Sequence, residues 1–188
     1  MHPRIPRQSA REQSGPAPAT PDGDVSLSAE LTAVVSGARR RALRDGDRQI
    51  DTAHLLHSLL DADAEAYAVF DAEPQLPRLL GYLVQRSIGY GLRWQSSIED
   101  SGAVPAVTAT EGFSPLAAGA MEYARARAER RADGPARGID LLAAILVDPE
   151  SRAVEVLTRA GIDARAVSAR IDDRLPGGLW GGPPRSSR

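Results

Sequence analysis

Two similar stretches of sequence, residues 50–60 (IDTAHLLHSLL) and residues 136–146 (ARGIDLLAAIL), decide the fold. Each places apolar residues in adjacent pairs four positions apart, which is the spacing of one apolar helix face. A constant separation of 86 residues relates the two stretches. This indicates an internal repeat, which fixes the architecture before any other feature. The matching pairs are Leu55-Leu56 with Leu141-Leu142 and Leu59-Leu60 with Ile145-Leu146.

The same separation relates the residues that precede each stretch. Leu27-Ser28 corresponds to Phe113-Ser114, and each serine is placed to cap a long helix with an apolar stripe. Pro115 falls on the first helical position, where its missing N–H costs nothing. Each half is therefore predicted to hold a long helix, two short helices and a closing helix. The predicted fold is all-α, with two pseudo-symmetric four-helix repeats packed as one domain around a pseudo-twofold axis.

Composition supports closely packed helices and excludes several classes of protein. Of 188 residues, 42% are hydrophobic but only 4% aromatic, and much of the apolar content is alanine. There is no cysteine, so disulfides, thiol nucleophiles and cysteine-based zinc sites are excluded. The formal net charge of −2 does not suggest a polyanion-binding chain. With no apolar run near the ~18 residues of a membrane span and no secretory signal, we expect a cytoplasmic protein with no membrane partner.

The chain divides into five predicted segments. Proline, glycine and small polar residues predict disordered tails and a loop between the repeats. Glu99 and Asp100 belong to that loop, and we expect both to be solvated. The segments are an N-terminal tail (1–24), repeat one (25–90), an inter-repeat loop (91–112), repeat two (113–175) and a C-terminal tail (176–188).

The stretch from Leu27 to Leu60 resembles the Clp N-terminal repeat, the module at the front of the AAA+ unfoldases ClpA, ClpB and ClpC. That pattern opens with Phe-Thr and later reads Gly-Thr-Glu-His followed by leucines, where this chain has Asp51-Thr52-Ala53-His54. Phe113-Ser114-Pro115 is similar to the Phe-Thr-Pro start of the family's second repeat. The resemblance covers about 150 of the 188 residues. It implies an all-α paired-repeat domain that binds proteins and needs no cofactor.

The sequence departs from the family at one position of known importance. In ClpC-like domains the glutamate of Thr-Glu-His belongs to pockets for phosphorylated arginine, and repeat one has Ala53 there. In repeat two an ungapped alignment places Ile139 there and Asp140 at the histidine position, whereas a one-residue gap would move Asp140 to the glutamate position. At least one pocket therefore lacks the carboxylate that would accept from a guanidinium, so phosphoarginine recognition is not expected to carry over.

The candidate binding residues surround the starts of the repeats. Phe113 has two interpretations of equal weight: a surface ring at which adaptors or cyclic peptides dock, as the resemblance implies, or a core residue of its own helix. His54 and His57 are three residues apart, but no third ligand accompanies them, so we expect no metal. The candidates are Leu27, Ser28, Thr52, Ala53, His54, Phe113, Ser114 and Asp140.

The predicted function is binding without catalysis. All 23 basic residues are arginine, so these 188 residues cannot form the lysine-containing phosphate loop of an ATPase. No nucleophile, base and acid arrangement stands out. We expect a monomer that is an accessory or decoy of the Clp system, with an unfoldase, adaptor, substrate protein or cyclic peptide as partner and no nucleic acid. The alternative is a helical DNA-binding regulator that uses Arg39-Arg40-Arg41 and Arg44, although Asp45 and Asp47 follow closely.

Overall fold

The computed structural model describes residues 26–87, Glu99 and residues 112–174. These residues form helices and no strand, which confirms the predicted all-α class. The predicted tails, and the loop except Glu99 and Gly112, lie outside the described residues. No helix among the described residues is long and apolar enough to cross a membrane. The helices are α1 (Ala29–Asp45), α2 (Thr52–Ala62), α3 (Ala64–Ala68), α4 (Leu76–Ser87), α5 (Pro115–Arg131), α6 (Gly138–Ile145), α7 (Arg152–Ala160) and α8 (Ala164–Arg174).

The two long helices have the same length and the same kind of cap. Ser28 accepts a hydrogen bond from Leu31 N, and Ser114 accepts one from Ala117 N. Each helix has 17 residues, and α5 is α1 moved along the chain by the repeat separation. The ends differ, because Gly46 follows α1 with φ 74° whereas Ala132 follows α5 with φ 54°. The left-handed conformation suits glycine and is strained for alanine.

The two stretches that decide the fold become α2 and α6, and both are almost fully buried. α1 packs on α2, α5 packs on α6, and α2 also contacts α6 and α7. The short helices therefore form the centre of the domain and the long helices flank it. The buried apolar residues of this centre are Leu55, Leu56, Leu59, Leu60, Ile139, Leu141, Leu142, Ile145 and Leu146.

The repeats exchange backbone hydrogen bonds in a crossed pattern. The backbone beside Leu27 of repeat one pairs with Ala136 of repeat two, and Ile50 of repeat one pairs with Phe113 of repeat two. The two bridges are equivalent under the repeat separation. Each segment leading into a long helix is thus held by the other repeat, which places the starts of α1, α2, α5 and α6 at the boundary between the repeats.

The last two helices, α7 and α8, complete repeat two. Ser151 caps α7 by accepting from Val154 N, and α7 ends at Gly161 with φ 86°. Ile162 and Val167, which are spaced as a hydrophobic staple at the start of α8, are both buried. In repeat one the helix equivalent to α7 is only the five-residue α3, which is capped by Asp63.

Candidate functional site

The N-terminus of α2 is closed by Asp51 and His54. The Asp51 carboxylate accepts from His54 N at 2.9 Å, and the Asp51 amide donates to Nδ1 of the His54 ring at 3.1 Å. This reciprocal pattern is a capping box. Both side chains are buried. His54, a candidate binding residue, therefore helps to start its own helix.

The far side of the His54 ring faces two carboxylates. His54 Nε2 lies 3.5 Å from Asp45 Oδ2 and 3.3 Å from Asp47 Oδ2. Potential ligand atoms of Asp47, Asp51 and His54 lie within 4.8 Å of one another. However, Nδ1 accepts from the Asp51 amide, which places the ring proton on Nε2. Asp51 is also engaged, by its helix and by Arg152 at 2.5 Å. The Nδ1 atom of His54 and the carboxylate of Asp51 already form hydrogen bonds within the fold. This arrangement favours a structural cluster at the helix start over a metal site.

At the equivalent N-terminus of α6, Asp140 takes the place of His54. Its carboxylate accepts from Arg137 N at 2.9 Å and pairs with the Arg131 guanidinium. Burial alone would lower the pKa of Arg131, but the hydrogen bonds that its guanidinium donates to Asp140 and Asp133 raise this pKa above its ordinary value. Asp140 is fully buried and, like His54, is the third residue of its helix. The repeats therefore align without a gap.

The ungapped alignment fixes the second helical position of each repeat. Ala53 occupies it in α2 and Ile139 in α6, and both side chains are fully buried. Neither helix presents a carboxylate at the place where the Clp pattern has glutamate. Thr52 begins α2 and Gly138 begins α6, so the first positions also differ.

Phe113 lies inside the boundary between the repeats. Its side chain is 7% exposed and belongs to the hydrophobic core, and its backbone pairs with Ile50. Leu27, its counterpart, is half-buried against the same core. Ser28 and Ser114 cap their helices. The core interpretation of Phe113 therefore has direct structural support, while its docking role stays a prediction.

Glu99 is buried, and the expectation of a solvated side chain was wrong. It is 5% exposed, and its carboxylate accepts four hydrogen bonds from other described residues. The donors are Thr52 N at 3.0 Å, Ser114 Oγ at 2.7 Å, Arg152 N at 2.8 Å and the Thr52 hydroxyl. The partners are 15 to 53 residues away in sequence, so no local pattern could have revealed the site.

The arginine-rich part of α1 is partly neutralised by acids. Arg41 pairs with Asp61 at 3.0 Å, and Arg44 lies 3.7 Å from Asp45. Arg39 and Arg40 are exposed. Surface pairs of this kind are weak individually, but they reduce the positive field that phosphate binding would need.

The structure is an all-α domain of two four-helix repeats. The starts of α1, α2, α5 and α6 meet at the boundary between these repeats. No family model matches the sequence, and no curated protein matches it. Three solved structures are similar in fold, each with a TM-score of 0.56.

The first is the N-terminal domain of Hsp104 from Candida albicans, 13% identical, with 78% of this chain and 89% of that chain covered. The second is the N-terminal domain of the chaperone ClpD from Arabidopsis thaliana, 17% identical, covering 83% and 98%. The third comes from a malarial protein secretion system, 12% identical, covering 79% and 94%. The fold is that of a Clp N-terminal domain, which confirms the resemblance drawn from sequence.

Proposed function

We propose that this chain is a protein-binding accessory of the Clp system that works without catalysis. The observation that carries the proposal is the shared fold with the N-terminal domains of Hsp104 and ClpD over about four-fifths of the chain. The partner would be an unfoldase, an adaptor, a substrate protein or a peptide ligand of the unfoldase's N-terminal domain. A chain with this fold and no phosphate loop would compete for those partners as a decoy or deliver them as an adaptor.

The proposed contact surface is the boundary where the repeats start, around Leu27-Ser28 and Phe113-Ser114. Buried Ala53 and Ile139 favour recognition of unmodified protein over phosphoarginine, since neither supplies a carboxylate for a guanidinium. Thr52, His54 and Asp140 are buried in the caps, so in this proposal they shape the surface from beneath.

The decisive experiment measures binding of the purified chain to a purified Clp unfoldase and its adaptor. Fluorescence anisotropy of the labelled chain would show saturable binding that an isolated unfoldase N-terminal domain displaces. Degradation of a model Clp substrate would change in rate as the chain is added. The proposal fails if neither component binds at concentrations that saturate the unfoldase's own N-terminal domain and degradation is unchanged.

Two matched variants test the contact surface, each copying the residue of the other repeat. Truncating buried Phe113 to alanine would cost about 3–5 kcal/mol of folding free energy, so Phe113→Leu, which copies Leu27, removes the ring more gently. We expect it to weaken partner binding roughly 2–10-fold, the range of an aromatic contact. Leu43→Glu copies Glu129 at a side chain that is 73% exposed on α1. It should leave the affinity unchanged, and equal losses in both variants would contradict the proposed surface.

The DNA-binding alternative predicts a different measurement. A chain that uses the α1 arginines on phosphates would bind duplex DNA with an affinity that falls steeply with salt. Pairing of Arg41 with Asp61 argues against this alternative. A salt-dependent mobility shift that Arg39→Gln and Arg40→Gln abolish would favour it over the Clp proposal.

A further inference from the structure

The group of donors around Glu99 has the composition of an anion-binding site. It brings together the first residues of α2 and α7 and the cap of α5. The backbone N–H groups of Thr52 and Arg152 donate to the carboxylate, as do the hydroxyls of Thr52 and Ser114. Helix N-termini favour negative charge, because their free N–H groups point outward along the helix dipole. We call these four donors the carboxylate cradle.

The two hydroxyls of the carboxylate cradle are fixed as donors. The Thr52 hydroxyl oxygen accepts from Ala153 N at 3.0 Å, and the Ser114 hydroxyl oxygen accepts from Ala117 N at 3.2 Å. Each hydroxyl therefore satisfies a helix amide and directs its O–H at Glu99. All four groups donate, so the cradle selects an ionised oxygen ligand and disfavours an amide.

Among the described residues, no arginine side chain forms an ion pair with Glu99. The Arg152 guanidinium extends to Asp51, 2.5 Å away, so its charge is engaged in a separate buried pair. The Glu99 charge is held by hydroxyls and helix N-termini. Glu99 itself lies outside the eight helices and reaches the cradle from a distant part of the sequence.

The equivalent helix start, that of α6, also has an acid beside it. At the start of α6, Asp63 is the acid beside Gly138: a Cβ at Gly138 would lie 2.6 Å from Asp63 Cγ. Asp63 belongs to the cap of α3 and serves that helix, accepting from Ala66 N at 2.8 Å. The helix equivalent to α3 in repeat two is α7, whose cap is Ser151 and not an acid, and Glu99 is the acid at the start of α2 instead.

We propose that the carboxylate cradle is a binding site for a carboxylate, which Glu99 occupies within the chain and which a free carboxylate or an acidic side chain of another protein fills when Glu99 is removed. The site recognises the ligand through hydrogen bonds from donors that the helix caps already hold in place. This proposal does not depend on the Clp partner.

Chemical rescue of Glu99→Ala in the full chain tests the site. We expect the variant to melt at a lower temperature than the wild type and to regain stability in sodium formate or acetate beyond the effect of equal sodium chloride. Ligand at tenfold excess over Kd should raise the Tm by roughly 3–6 °C in a chain of this size. The wild type should show no such gain, because its cradle is full.

Two control variants separate the site from general effects of salt and of lost charge. Glu99→Gln fills the cradle with an amide, so it should be destabilised and show no response to formate. Asp61→Ala removes an acid from an exposed pair and should also show no response. If Glu99→Ala is unfolded in chloride, recovery of helical circular dichroism in formate becomes the measurement. Equal responses of Glu99→Ala to formate and chloride overturn the proposal.

A second arm distinguishes the source of the carboxylate. N-acetylglutamate amide should stabilise Glu99→Ala, whereas N-acetylglutamine amide of the same shape should not. Stabilisation by both or by neither overturns the acidic side chain as a ligand. Rescue by formate would still establish the small-carboxylate site, and ¹³C-formate NMR would report its occupancy directly.

Discussion

The starts of α2 and α6 occupy equivalent places in the two repeats, yet their charges are arranged in opposite ways. In repeat one the third residue of α2 is His54, and its partner at the end of α1 is Asp45. In repeat two the third residue of α6 is Asp140, and its partner at the end of α5 is Arg131. Acid and base have changed helices while the contact has kept its position. The two repeats therefore share the position of this contact between helices but differ in the residue types that form it.

The source of the acid at each helix start also differs. Asp63 next to Gly138 comes from the neighbouring cap within repeat one, whereas Glu99 at Thr52 comes from outside the helices. The α2 start is further tied to repeat two by the Asp51–Arg152 pair, for which the described residues at the α6 start show only the exposed Arg137–Glu65 pair. Among the described residues, the start of α2 therefore makes more buried polar contacts with distant residues than the start of α6 does.

The largest expected effect comes from breaking the buried pair at α2. Arg152→Met leaves the buried Asp51 carboxylate without its guanidinium, which should lower the free energy of unfolding by about 3–5 kcal/mol. Urea denaturation followed by circular dichroism measures this. The Arg152 amide, which donates to Glu99, is retained. Arg137→Met at the α6 start breaks the exposed pair with Glu65 and should cost less than about 1 kcal/mol. Similar losses in both variants would remove the contrast between the two helix starts.

A smaller effect is expected at the first residue of α6. Gly138→Ala would place a Cβ 2.6 Å from Asp63 Cγ and 3.1 Å from Leu59 Cδ2, so we expect a loss of about 1–3 kcal/mol. Gly119→Ala in α5 has nothing within 4 Å and should stabilise by about 0.5–1 kcal/mol. In an Asp63→Ser background, which keeps a capping side chain, Gly138→Ala should cost less. An unchanged cost there would show that the acid is not the obstacle.

A further effect, which develops gradually with pH, also distinguishes the repeats. Burial, with Arg41 nearby, lowers the pKa of His57 from 6.5 to about 4, despite the opposing influence of Asp61 and Asp45. The unfolded chain therefore binds a proton that the folded chain rejects between these values. The contribution of neutral His57 to the free energy of unfolding is fully present above pH 6.5. It is lost as the pH falls toward 4, with a slope of less than about 1.4 kcal/mol per pH unit.

Repeat two carries Ala143 at the place of His57. His57→Ala should consequently flatten the dependence of unfolding free energy on pH between 4 and 6.5, measured by urea titration at several pH values. A variant that keeps the wild-type slope would assign the acid sensitivity to other groups.

The helices and their caps were predictable because they depend on local sequence. Ser28 and Ser114 cap the helices that their positions indicated, and the constant separation of the repeats correctly related α5 to α1. The short third helix of repeat one was among the predicted helices, whereas the alanine in the left-handed conformation after α5 was not indicated, because that conformation favours glycine.

The candidate site was less predictable than the fold. The burial of Glu99 needs donors from three separate helices, and the Asp51–Arg152 pair joins residues 101 positions apart. Ser114 and Thr52 were expected to matter through a family pattern, but their shared role in holding a carboxylate appears only when the helix starts meet. A glutamate in a polar loop carries no local signal for such burial.

The crossed backbone bridges described above have a consequence for how the domain comes apart. Ala136 N donates to Ser26 O and Ser28 N to Ala136 O, both at 2.9 Å, while Ile50 N donates to Gly112 O at 2.7 Å and Ser114 N to Ile50 O at 2.8 Å. Separating the repeats breaks all four of these hydrogen bonds and exposes the central leucines, so neither half retains a complete core. The two repeats therefore unfold as one cooperative unit, and a chain cut between them would regain structure only when the two fragments are mixed.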